Sequence, residues 1–160
     1  MRIPITFLDD AGNETADRIK GFPCIPVSYF YSSDLGNNEP IAASKIWAGI
    51  DTGADFVYAD SALVNAHGSP AVQWSKVNGS EEKSSVHVGY IVFGNPPTTF
   101  RTHMVSRDFA GRCDPYRIML GRHFFQFADL NFKPRDETGC FIDFDADAIR
   151  AKGHFLHPLA

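Results

Sequence analysis

Apolar residues in this chain come in short runs, and Gly or Pro closes nearly every one. KSSVHVGYIVF (83–93), TTFRTHMVSRDF (98–109) and RIML (117–120) are rich in β-branched and aromatic side chains. They have the length and composition of strands. Most of the 13 Gly and 10 Pro lie between such runs, where tight turns need them. A chain patterned this way builds sheets, and its 160 residues are enough for one domain, 1–160, with a real core.

Read along the chain, further strands are expected at 3–8, 24–34, 41–50, 56–60 and 72–77. Residues 14–20 could form a helical turn or two, and 35–40 is a loop of turn formers. Ser61 is placed to N-cap a short helix, ALVNAH, that Gly68 ends. Asn78-Gly79 between two strands predicts a hairpin. RHFFQFA (122–128) fits a short helix, 129–145 a hairpin turned by RDETG, and 146–153 a helical tail.

Charge and cysteine content exclude several classes of function. A net charge of −4 and a pI near 5.8 give no electrostatic reason to expect nucleic acid or an anionic membrane. No apolar run approaches a membrane span, and MRIPITFLDDAG does not read as a signal peptide. Cys24, Cys113 and Cys140 are far apart and odd in number, which suggests buried small side chains and a reducing cytoplasm. His154 and His157 lie three apart without a nearby Cys or carboxylate, and the other histidines are scattered, so no metal is expected. No phosphate loop, dinucleotide-binding fingerprint or serine-nucleophile elbow is present, and no cofactor is expected.

The chemistry concentrates in AGIDTGADFVY (48–58). A given tripeptide such as Asp-Thr-Gly turns up by chance in roughly a few per cent of chains this long, and Asp-x-Gly is common in turns. Here an apolar strand delivers Asp51 to the turn, and further on RIML runs into Gly121-Arg122 before a short helix. On AGIDTGAD, VNGSEE and IMLGRHFF the chain resembles the retroviral-type aspartic proteases, the retropepsin family, and in its last hairpin their bacterial members. The resemblance covers about residues 22–144, leaving 145–160 as a tail.

The resemblance implies a mostly-β, retropepsin-like closed barrel, half of an acid protease, with one or two short helices and a two-fold dimer. One Asp-Thr-Gly copy per chain means that a homodimer would complete the site, Asp51 of each subunit meeting at the axis. Two carboxyls that close cannot both ionise; they share one proton, and together activate water and protonate a peptide carbonyl. Thr52 would hydrogen-bond across the axis. Gly53, Ala54 and Asp55 would line the cleft for a peptide or protein substrate, and Arg122 would pair with Asp55 beneath it. A flap at about 75–88 would close over the substrate, contributing Val77, Asn78, Gly79 and Ser80, with Glu81 and Glu82 near its tip. Val57, Ile118 and Leu120 would give an apolar preference next to the scissile bond.

Simpler roles compete with these. Asp51 can be a turn aspartate bonding its own backbone, Arg122 a surface residue at a helix start, and Glu81 and Glu82 a solvated hairpin tip. The functional alternative to an endopeptidase is a retropepsin fold kept as a dimerisation or peptide-binding module.

Overall fold

The computed structural model describes residues 1–30, 45–66, 71–76, 83–145 and 147–148. Its elements in chain order are β1 (Arg2–Pro4), β2 (Thr6–Leu8), β3 (Phe22–Phe30), β4 (Lys45–Ile50), β5 (Val57–Asp60), α1 (Ser61–Ala66), β6 (Gln73–Lys76), β7 (Lys83–Phe93), β8 (Thr98–Arg107), β9 (Ile118–Leu120), a 3-10 turn (Phe124–Phe127), β10 (Ala128–Phe132) and β11 (Cys140–Phe144).

Eight strands run in the order β2-β3-β4-β9-β5-β8-β7-β6. A further pairing of β3 with β7, Tyr29 opposite Ile91, joins the two ends of the inner six and closes them into a barrel. β2 and β6 hang from its seam, and a three-stranded sheet, β1-β11-β10, covers one side. Closure gives β3 and β7, the outer strands of the inner six, partners on both sides and leaves, among the described residues, only the short strands β2 and β6 as edges of this sheet.

Inside, Ile25, Val27, Ala48, Val57, Ala59, Ile91, Met104, Ile118 and Leu120 form one core cluster. It continues into the small sheet through aromatic rings. Phe124 lies with its centroid 4.9 Å from Phe144, 5.4 Å from Phe100 and 5.6 Å from Phe93. Burying such a ring contributes roughly 1.5–3 kcal/mol, which explains why this chain spends 14 Phe.

Several expectations need correction. The run 3–8 is two strands, because β1 pairs with β11 while β2 pairs with β3; Ile5 marks the crossing between sheets. Residues 14–20 are turns, tied back by a bridge from Glu14 to Leu8. Ser61 is the first residue of α1, and it is buried Asp60 that accepts from the Ala62 amide, at 3.3 Å. The 122–128 segment is a turn followed by a 3-10 helix, with Phe124 N donating to Gly121 O and Phe125 N to Arg122 O. Cys24 and Cys140 are buried, but Cys113 is exposed, at φ 60°.

The hairpin around RDETG forms as the pair β10–β11, Phe132 opposite Cys140. Residues 31–44, 67–70, 77–82, 146 and 149–160 lie outside the described residues, so the expectations that fall on them, Gly68, the flap tip and most of the helical tail included, are not described. Among the described residues, no helix is long and apolar enough to cross a membrane.

Candidate active site

β9 runs between β4 and β5, parallel to the first and antiparallel to the second. The chain linking β4 to β5 therefore has to pass over the end of β9, and that link is residues 51–56. Backbone bonds tie the two together. Asp51 N donates to Leu120 O at 3.1 Å, Arg122 N to Ala54 O at 2.8 Å and His123 N to Asp55 O at 3.2 Å. Asp-Thr-Gly-Ala-Asp and Leu-Gly-Arg, far apart in sequence, are one structural unit.

Gly121 makes the crossing possible. A Cβ there would collide with Phe56 O and stand 2.6 Å from Ala54 O. Any side chain would push the turn away from β9, so glycine is required by close approach.

Within the turn, Ala54 N donates to Asp51 O at 3.1 Å and Gly53 N to Asp51 Oδ1 at 2.9 Å. The second bond is that of a turn aspartate holding its own backbone. It fixes one carboxylate oxygen and thereby the rotamer. Oδ2 takes no hydrogen bond from any described residue, and Asp51, Thr52 and Gly53 are all exposed. The turn thus presents a pre-oriented carboxylate oxygen to solvent.

Arg122 Nη2 donates to Asp55 Oδ1 in an ion pair. Both side chains are exposed, at 65% and 49%, so the pair lies at the surface of the chain. Ala54 is buried at 6%, packed with Tyr58, Val86, Val105, Phe109 and Met119 in a second apolar cluster, on the side of the sheet away from the barrel core. Phe56 and Tyr116 border that cluster while half-buried.

This second cluster corrects the expected pocket. Val57, Ile118 and Leu120 are at most 1% exposed and point into the barrel. Strand side chains alternate faces, so the neighbours Phe56, Tyr58 and Met119 face the Asp51 side instead. The parity of a short apolar run cannot be read until it is known which face the barrel closes over.

The hairpin strands β6 and β7 are antiparallel, Trp74 opposite Ser85 and Lys76 opposite Lys83. Val77, Asn78, Gly79, Ser80, Glu81 and Glu82 fall outside the described residues, so the structure does not place them against Asp51. Tyr116, absent from the expected site, does lie near it. Its phenol is pushed up to about 12, first by burial and then by the charges of Asp114, Cys24 and Asp51. No local motif marks it; only the fold brings it there. Among the described residues no three His, Cys, Asp or Glu gather to hold a metal ion.

No protein-family model and no curated sequence matches the chain. Among solved structures it is similar to a retropepsin-like aspartic protease from Rickettsia conorii, with a TM-score of 0.51 over 90% of this chain and 91% of that one. Identity is 14%, so the likeness is one of fold. Mostly β, closed by β3 on β7, with β9 threaded beneath the Asp51 turn, the chain has the retropepsin-like fold.

Proposed function

We propose that the chain is an aspartic endopeptidase that acts as a homodimer, hydrolysing peptide bonds with water held between two Asp51 carboxyls. The observation that carries this reading is the Asp51 turn itself, exposed, bonded to the Gly121-Arg122 crossing, with one oxygen fixed and the other taking no hydrogen bond from a described residue. The similarity of fold to an aspartic protease supports it at the level of reaction class. Thr52 is exposed beside Asp51 and makes no side-chain hydrogen bond with a described residue, which suits a contact with the partner's turn.

In the dimer one carboxyl is protonated and the other ionised. The ionised one takes a proton from water as the oxygen attacks the carbonyl carbon, and the protonated one donates to the carbonyl oxygen. Collapse of the tetrahedral intermediate breaks the C–N bond, with a proton passing to the leaving amine. Gly53 and Asp55 are the backbone and side-chain contacts for an extended peptide, with Ala54 beneath them. Arg122 keeps Asp55 oriented, and the hairpin at about 75–88 serves as the flap, contributing Val77, Asn78, Gly79 and Ser80.

The test is cleavage of a diverse peptide mixture from pH 3 to 7, read by mass spectrometry, beside Asp51→Asn. Wild type should cut, with a bell-shaped pH dependence because either zero or two protons on the pair stops the reaction. Asp51→Asn should lose about 10²-fold or more. A folded dimer without Asp51-dependent cleavage at any pH would instead point to a binding or dimerisation module.

A further inference from the structure

Two residues before Asp51, β4 carries Gly49. Strand alternation puts positions 49 and 51 on one face, and Asp51 continues the ladder through its bond to Leu120 O. The ring of Tyr116 covers that bare stretch of backbone. A Cβ at Gly49 would stand 2.7 Å from Tyr116 Cδ1 and 2.9 Å from Cε1, so the close contact depends on Gly49 having no side chain.

The ring is held from other directions as well. Phe109, fully buried, meets it edge-on at 5.4 Å, and Phe22 does so at 6.3 Å. It also packs on the cluster of Ala54, Tyr58 and Met119. Yet Tyr116 is only half-buried. An aromatic surface braced by its neighbours and partly open to solvent therefore stands beside the Asp51 carboxylate, close enough for that charge to act on its phenol. The hydroxyl stays protonated across the working pH range and can donate a hydrogen bond.

We propose that Tyr116 is a specificity-determining residue of the Asp51 cleft, its ring forming the wall that receives a flat apolar side chain next to the scissile bond. This rests on the peptidase reading. Aromatic faces prefer offset or edge-on partners, which favours Phe and Tyr over small side chains. An acidic side chain at the same place is disfavoured, because Asp51 and Asp114 already put their charges on that wall.

The test compares wild type, Tyr116→Phe and Tyr116→Ala on the peptide mixture that reads out cleavage. Wild type should cut beside Phe and Tyr and avoid Asp and Glu. Tyr116→Phe should keep this profile within about threefold. Tyr116→Ala should lose about tenfold or more in kcat/KM on peptides with an aromatic residue there, mainly through KM, and little on those with Ala. Should the alanine variant not fold, Tyr116→Leu, which still covers Phe109, should shift the ratio of aromatic to aliphatic cuts by about threefold or more.

Retention of the same peptides by Asp51→Asn, with and without Tyr116→Ala, separates the two ideas. Asp51-dependent cleavage with a profile indifferent to Tyr116 overturns the inference alone. No cleavage, with Tyr116-dependent retention of aromatic peptides, overturns the peptidase reading alone. Neither cleavage nor retention overturns both.

Discussion

At Gly121 the missing side chain is a steric necessity. The atoms a Cβ would meet, Phe56 O and Ala54 O, are backbone and cannot swing aside. Gly121→Ala should cost about 3 kcal/mol, seen as a lower urea midpoint; a loss below about 1 kcal/mol would mean that the two loops can part. Its neighbour Arg122 is the opposite case. The pair with Asp55 is exposed on both sides, so Arg122→Ala should change subunit stability by less than about 1 kcal/mol in the same assay. The thiols differ too. Burial pushes Cys24 up to about 12 and Cys140 is buried, whereas Cys113 is exposed. At pH 8 one thiol per chain, Cys113, should react quickly with a disulfide reagent, and rapid reaction of all three would contradict the packing. Tyr116 sets an alkaline limit. Its phenol holds its proton to about 12 when folded but to its usual value of 10.0 when unfolded, so the native state binds more protons between those values. That stabilisation is complete below pH 10 and lost as pH rises through 12. Tyr116→Phe should make the alkaline fall in melting temperature shallower, leaving the part that Cys24 contributes. Asp51 and Arg122 were legible as residues because each sits in a string with a fixed order of neighbours. Tyr116 was not, because its partners Gly49, Phe22 and Phe109 come from three separate segments.

At the scale of elements, the strands declared themselves by alternation and by the Gly and Pro that end them. KSSVHVGYIVF is β7 residue for residue. Where the reading failed, a long-range pairing had intervened. IPITFL carries nothing to say that its first half pairs with Cys140–Phe144 and its second with Phe22–Phe30. The helix expected at 122–128 tightened into a 3-10 turn, whose period of three buries both Phe124 and Phe127. That turn is the hub on which the small sheet packs against the barrel. Phe124→Ala should cost about 3–5 kcal/mol, measured as a drop in melting temperature. A cost near 1 kcal/mol would mean that the surrounding rings collapse into the space.

At the scale of the molecule, each chain offers one Asp51, so the proposed chemistry needs a pair of chains. Mixing wild type with an equal amount of Asp51→Asn, under exchange, should lower activity per wild-type chain to about half, because half of those chains acquire a partner without the carboxyl. Unchanged activity would assign catalysis to a single subunit. The sequence alone determined that this chain is a sheet protein with an Asp-Thr-Gly turn and a Gly-Arg motif at a strand end, since period-two alternation, turn chemistry and short motifs are local properties. Only the tertiary structure decided that β3 meets β7 to close the barrel, which face of β5 and β9 the core takes, and that Tyr116 stands beside Asp51. Each of these is a contact between segments far apart in the chain, fixed by how the whole set of strands buries its apolar faces at once.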